Sequence, residues 1–143
     1  MVKSLPDKYI RKAIYTAING IVVDGEAILC YDSRVTGKGV DNYTLMTTQT
    51  NSVDKRTKCG YDWESSILIE VFTRYKLTGN TGSRLLADNI LDEVRDLTDS
   101  LTLDVASGLD IVTQIQSFPN DLISETTNEI IIRKFMRIEF LIE

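Results

Sequence analysis

The stretch "SSILIEVFTRYKL" (residues 65–77) decides the fold. Ile67, Ile69 and Val71 alternate onto one face, and Leu68 and Phe72 share the other with Glu70 and Arg74. Period-two alternation in a segment rich in β-branched and aromatic residues predicts a strand. Apolar side chains on both faces predict a central strand, or one covered on both sides at one end.

Immediately upstream lies "TTQTNSVDKRTKCGYDW" (47–63). Its start belongs to a second strand, "YTLMTTQT" (43–50), which is rich in β-formers. From Asn51 to Asp62 the chain is polar and charged and offers little to a core, so it reads as an exposed loop between two strands. Lys55, Arg56 and Lys58 gather there beside Tyr61 and Trp63. An exposed loop of this kind suits charges that meet a neighbouring protein. Basic residues interleaved with aromatics also suit single-stranded nucleic acid, so a small cytosolic binding module acting through 55–63 is the alternative. Trp63, the single tryptophan, either packs at the strand start or anchors an interface.

Working outward, residues 6–19 predict a helix. Ile10, Ala13, Ile14, Ala17 and Ile18 form an apolar stripe, Ser4 is the expected cap, and Gly20 is the expected stop. Ile21–Val23 and Glu26–Cys30 flank Asp24-Gly25, the signature of a hairpin with a type I′ turn. A Gly-rich polar loop, "DSRVTGKGVDN", leads into the 43–50 strand. Downstream, "TGNTGSRLLADNILDEVRDLTDSL" predicts a second helix with Leu86, Ile90, Val94, Leu97 and Leu101 on its stripe, capped by Thr81 or Ser83. Two strands follow. Residues 109–117 place Leu109, Ile111, Thr113 and Ile115 on one face. Residues 129–143 place Ile132, Met136, Ile138, Phe140 and Ile142 on one face and Arg133, Phe135, Arg137, Glu139 and Leu141 on the other. The last strand is long and charged at the centre of its outer face, so it should extend past the sheet or form a subunit contact.

The expected fold is one α+β domain over 1–143, in the order α-β-β-β-β-α-β-β. Short links make the sheet of about 4–6 strands mainly antiparallel, with both helices on one face.

The function classes narrow by chemistry. The chain holds no histidine, which removes Ser-His-Asp and Cys-His sites and most zinc or iron sites. Gly79 and Gly82 precede a helix, but no Gly-Lys-Ser/Thr follows, so they read as a turn rather than a phosphate loop. Asp88, Asp92, Asp96 and Asp99 lie on a helix without a calcium-type loop and read as a solvated face. Nothing places two carboxylates at a pocket, so no catalytic, cofactor or metal site is expected. Cys30 and Cys59 are too few for a disulfide scaffold and read as free thiols. Three cations lie near Cys59, but no histidine or closely spaced second cysteine supports a reactive thiol there. The net charge of −5 lacks the basic excess of a typical nucleic-acid binder. No apolar run reaches the ~20 residues of a membrane helix, and the N-terminal stretch lacks a signal peptide's continuous apolar middle, so folding in a cytosol is expected.

The succession "QTNSVDKRTKCGYDWESSILIEVFTRY", "TGNTGSRLLADNILDEVRDL" and a long final strand resembles the tail-terminator and tail-completion proteins of tailed bacteriophages. In that family a helix and small hairpin precede a strand ending in a Gln-Thr-like element. A variable polar connection follows, then a strand like "ILIEVFT" and a helix entered through a Gly-containing turn. Residues 31–42 depart from the pattern, lacking the Pro-aromatic entry common in the family. The resemblance implies a structural virion protein that forms a ring, usually a hexamer and in head-side relatives sometimes a dodecamer. Its partners would be other copies and other neck or tail proteins, with DNA at most passing through the lumen. It would be assembled in the host bacterial cytoplasm. The implied subunit or axial contacts are the 51–64 segment with Lys55, Arg56, Lys58, Tyr61 and Trp63, the final strand with Arg133, Arg137 and Glu139, and the 31–42 and 118–128 loops.

Overall fold

The computed structural model describes residues 5–36, 41–57, 60–76 and 84–143, with the backbone alone at 54–57, 60 and 61. In chain order the elements are α1 (Asp7–Ile18), β1 (Ile21–Val23), β2 (Glu26–Asp32), β3 (Asn42–Thr57), β4 (Gly60–Lys76), α2 (Leu85–Leu97), a short 3-10 turn (Val105–Ser107), β5 (Ile111–Ser117), β6 (Leu122–Glu125) and β7 (Glu129–Ile142). The α+β fold and the element order agree with the sequence reading. The sheet has seven strands, in the order β1-β2-β3-β4-β7-β5 with β6 also on β7.

The expected central strand is central. β4 pairs with β7 without a break from Trp63↔Ile142 to Lys76↔Glu129. This register sets Ile67 beside Ile138 and Ile69 beside Met136, all fully buried. Both helices cover that face. Ile10, Ile14 and Ile18 of α1 and Ala87, Ile90 and Val94 of α2 close onto it with no exposed surface. Burying each such branched side chain is worth about 1.5–3 kcal/mol, and this dry layer is where the fold's stability lies.

The turn chemistry holds. Asp24 and Gly25 have φ of 51° and 79°, so both central residues are left-handed, as a type I′ turn demands. The helix caps read from sequence, Ser4 for α1 and Thr81 or Ser83 for α2, lie outside the described residues, as do Gly79 and Gly82. At the other end of α2 the cap comes from far along the chain. Gln114 donates to the Thr98 carbonyl, Gln116 Nε2 donates to the Arg95 carbonyl at 3.0 Å, and buried Thr98 Oγ1 donates to the Val94 carbonyl at 2.7 Å. Two glutamines from a strand thus satisfy carbonyls that a helix end leaves bare.

Five features differ from the sequence reading. First, the 51–62 segment is not a loop. β3 and β4 continue as a hairpin that pairs Asn51↔Ser65, Lys55↔Asp62 and Thr57↔Gly60. A ladder open to solvent needs no apolar residues, so polarity did not exclude strand. A register shift at Val53/Lys55 is a bulge that adds twist to this arm, and a second at Met46/Gln49 lies upstream of it in β3. Second, β2 and β3 run parallel, Leu29↔Tyr43 to Asp32↔Met46, whereas the other strand neighbours run antiparallel. Third, a register shift between Ile111 and Thr113 switches faces within β5: Ile111 lies opposite buried Ile142, whereas Thr113 and Ile115 lie opposite Leu141 and Glu139 on the helix-free side. The single stripe expected for 109–117 is therefore split. Fourth, the 118–128 region contains β6. Fifth, β7 does not extend past the sheet. β4 fills one of its edges, while β5 and β6 share the other.

Lys134 ties the last two elements to α2. Its side chain is 11% exposed and its Nζ meets Asp88 Oδ1 at 2.7 Å and Asp121 Oδ2 at 2.8 Å. Burial alone would lower its pKa, but the two carboxylates outweigh burial and raise it. Asp88 is thus partnered rather than merely solvated. Lys134→Ala should cost about 1–2 kcal/mol by chemical denaturation, below the full penalty for a broken buried pair because both carboxylates keep contact with water.

Cys30 is a free thiol, 4% exposed, and burial pushes its pKa up from 9.0; Cys59 lies outside the described residues. A raised folded pKa means the thiol's contribution is complete below 9.0 and is lost as pH rises beyond it, since the unfolded chain ionises first. In a Cys59→Ser variant, a thiol reagent at pH 8 should label Cys30 only at the rate of unfolding. Labelling at the rate of a free peptide thiol would contradict this burial.

Candidate interaction surface

The helix-free face of the sheet is not a plain polar surface. Strand register lays its side chains out in rows. One row runs Leu29, Tyr43, Phe72, Arg133 and Leu122 across β2, β3, β4, β7 and β6. The next runs Tyr31, Leu45, Glu70 and Phe135. Tyr43 stacks on Phe72 with ring centres 4.6 Å apart and planes at 13°, and Tyr31 meets Tyr43 edge-on at 5.7 Å. Offset-stacked and edge-on pairs are the favoured aromatic geometries and add about 0.5–1.5 kcal/mol beyond burial.

Cations lie over this aromatic cluster. The Arg74 guanidinium sits 5.3 Å from the Phe72 ring centre, and that of Arg133 sits 5.5 Å from Phe135. Each also has a carboxylate. Arg74 Nε approaches Glu129 Oε2 at 3.5 Å. Arg133 Nε pairs with Glu70 Oε1, and its Nη2 donates to Glu70 Oε2 at 3.3 Å. Glu70 is 4% exposed, although no helix covers this face. The bidentate carboxylate raises Arg133 above its ordinary value. Burial first, and then the Glu70 charge, raise the Tyr43 hydroxyl. Arg133 and Tyr43 therefore each keep one charge state across the physiological range. The site offers rigid aromatic and arginine surface of the kind that dominates binding energetics.

Farther along the sheet lies a groove of about 410 Å³, bordered by Thr50, Ser52, Glu64, Ser66, Ile115 and Glu139. Arg137 and Glu139 are exposed on the same face. Three of the sequence-derived contact residues, Arg133, Arg137 and Glu139, thus share one surface. Lys55, Arg56 and Tyr61 lie on the hairpin arm, paired through the backbone with Asp62 and with each other, and their side chains are outside the described residues, as is Lys58 entirely. Trp63 is half-buried on the opposite face, where it packs against the hydrophobic core. It does not join the Arg133 cluster. The sequence reading passed over Tyr31, Tyr43 and Glu70 as members of the surface. Glu70, a lone carboxylate amid "ILIEVF", was the signal available: a charge inside a central strand requires a partner.

No protein-family model and no curated protein matches this chain. Among solved structures, its fold is similar to a chain from the virion of a native gene transfer agent (GTA) particle. The TM-score is 0.61 at 17% sequence identity, over 94% of this chain and 96% of that one. At this identity the likeness establishes the fold.

Removing Arg133 strands a buried carboxylate. Arg133→Ala should destabilise the protein by about 2–3 kcal/mol, reduced from the usual buried-pair penalty because the arginine is partly exposed. Replacing both partners, Glu70→Leu with Arg133→Met, should recover to within about 1 kcal/mol of the parent. Chemical denaturation of the parent and the two variants measures both values.

Proposed function

We propose that this chain is a structural virion protein of a phage-like particle, forming a ring at the neck or tail end as a tail-terminator or head–tail joining subunit. The observation that carries this reading is the nearly end-to-end correspondence of its fold with a virion chain, leaving little of either chain unmatched. The surface supports it: an aromatic and arginine face without a helical cover, and a long hairpin arm reaching past the end of β7, both suit a subunit that bonds to neighbours. In this reading the protein resides in the virion, is assembled in the bacterial host cytoplasm, catalyses no reaction and meets adjacent ring or tail-tube proteins along the ring axis. A hexamer is the favoured stoichiometry.

Negative-stain images and sedimentation velocity of the purified chain should show rings, or the chain should bind isolated tails or heads of its particle. A chain that stays monomeric and binds neither overturns the proposal. The arm supplies a second test. Replacing residues 54–62 with Asn-Gly leaves the unbroken β4–β7 ladder intact, since that ladder starts at Trp63. The shortened chain should keep its stability to within about 1 kcal/mol, because loop length weighs little in closure entropy. Its assembly should be impaired. Loss of the folded state would instead assign the arm to the folding unit.

A further inference from the structure

The two sides of the sheet end in different open edges. Beyond β7, β5 and β6 lie end to end, and neither has an outer strand partner among the described residues. Edge strands normally carry charge, proline or cover to prevent pairing. β5 contains no charged residue and no proline, and β6 contains only Glu125 as a charge. Along this edge Val112, Ile115, Phe118, Leu122 and Ile123 are 49–61% exposed. The Ile111/Thr113 bulge and the Pro119–Asp121 link interrupt this edge but leave these apolar side chains open, and such a concentration marks an interaction site.

The second open edge lies on the other side of the same sheet. β2 accompanies β3 only as far as Asp32↔Met46. From Thr47 to Val53, β3 has no strand partner on that side among the described residues. This stretch, "TTQTNSV", is uncharged and has the same seven-residue length as β5.

We propose that the β5–β6 edge of one copy pairs with the Thr47–Val53 edge of β3 in the next copy. The inference rests on the ring reading above and adds which surfaces meet. Bare backbone donors and acceptors on a strand edge are satisfied by another strand edge. This chain carries a second one, matched in length to β5 and free of charge. Two unlike edges on opposite sides of a subunit give a head-to-tail contact, the kind that closes into a ring. Pairing of β5 with a second β5 would stop at a dimer and leave the β3 edge bare.

Lysines on the edges test this. One variant carries Ile115→Lys and Ile123→Lys; the other carries Thr50→Lys and Ser52→Lys. All four positions are exposed, and far-UV melting checks that each variant folds. Serine at positions 115 and 123 is a milder alternative, expected to weaken self-association roughly tenfold. In sedimentation velocity each lysine variant alone should be monomeric. Mixed in equal amounts, they should form a two-subunit complex and nothing larger, because each retains the edge the other lacks. Rings that persist in both variants overturn the inference, as does a stable dimer of the β3 variant alone, which would indicate β5–β5 pairing. A parent chain that is monomeric at every soluble concentration overturns it too. If that monomer still binds isolated tails or heads, the proposed function stands without this contact; if it binds neither, both fall.

Discussion

The β4–β7 ladder is the constraint on which the other elements depend. Its unbroken register from Trp63↔Ile142 to Lys76↔Glu129 puts every second side chain of both strands on one face. A slip of one residue would send Ile67, Ile69, Met136 and Ile138 to the opposite side and leave α1 and α2 nothing to cover. The ladder also spans most of the chain in sequence, so forming it brings the two halves together. Topology of this kind makes folding depend on contacts that are distant along the chain.

The two faces solve different problems. On the helical face, isoleucines from α1 and both central strands interlock with α2, and polar groups appear there mainly with partners. Lys134 spans two carboxylates, and Gln114 and Gln116 close the end of α2. On the other face the sheet supplies its own cover. Tyr43 stacks on Phe72, arginines lie against Phe72 and Phe135, and Arg133 pairs with Glu70, which is 4% exposed. Burying such a pair does not by itself stabilise a protein much. It does hold the guanidinium in one orientation over Phe135 and keeps the surface rigid. A rigid surface loses less entropy when a partner docks.

Much of the framework was legible from local pattern. The alternation in 65–77 correctly gave both faces of β4, and the alternation of 129–143 gave those of β7. Asp24-Gly25 marked its turn, and the apolar spacing of α1 gave Ile10, Ile14 and Ile18. Reading failed where the signal was not local. Polarity at 51–62 was taken to mean a loop, but hydrogen bonding between two exposed strands needs no apolar side chain. The bulge in β5 reverses its faces through one extra residue, which no periodicity announces. The parallel pairing of β2 with β3 depends on where the 33–41 link returns. Of the interaction surface, Arg133, Arg137 and Glu139 were readable as the charged outer face of a long strand. Tyr31 and Tyr43 were not, because their membership depends on neighbours in other strands.

By itself, then, the sequence determined which residues of α1, β4 and β7 face inward, where the tight turn falls and that no imidazole is available, since all three follow from side-chain type and spacing. Only the tertiary structure decided which edges meet, where Trp63 packs and how Glu70 is compensated. Those outcomes depend on pairing between segments far apart in the chain, and residue spacing within one segment carries no information about its partner's register.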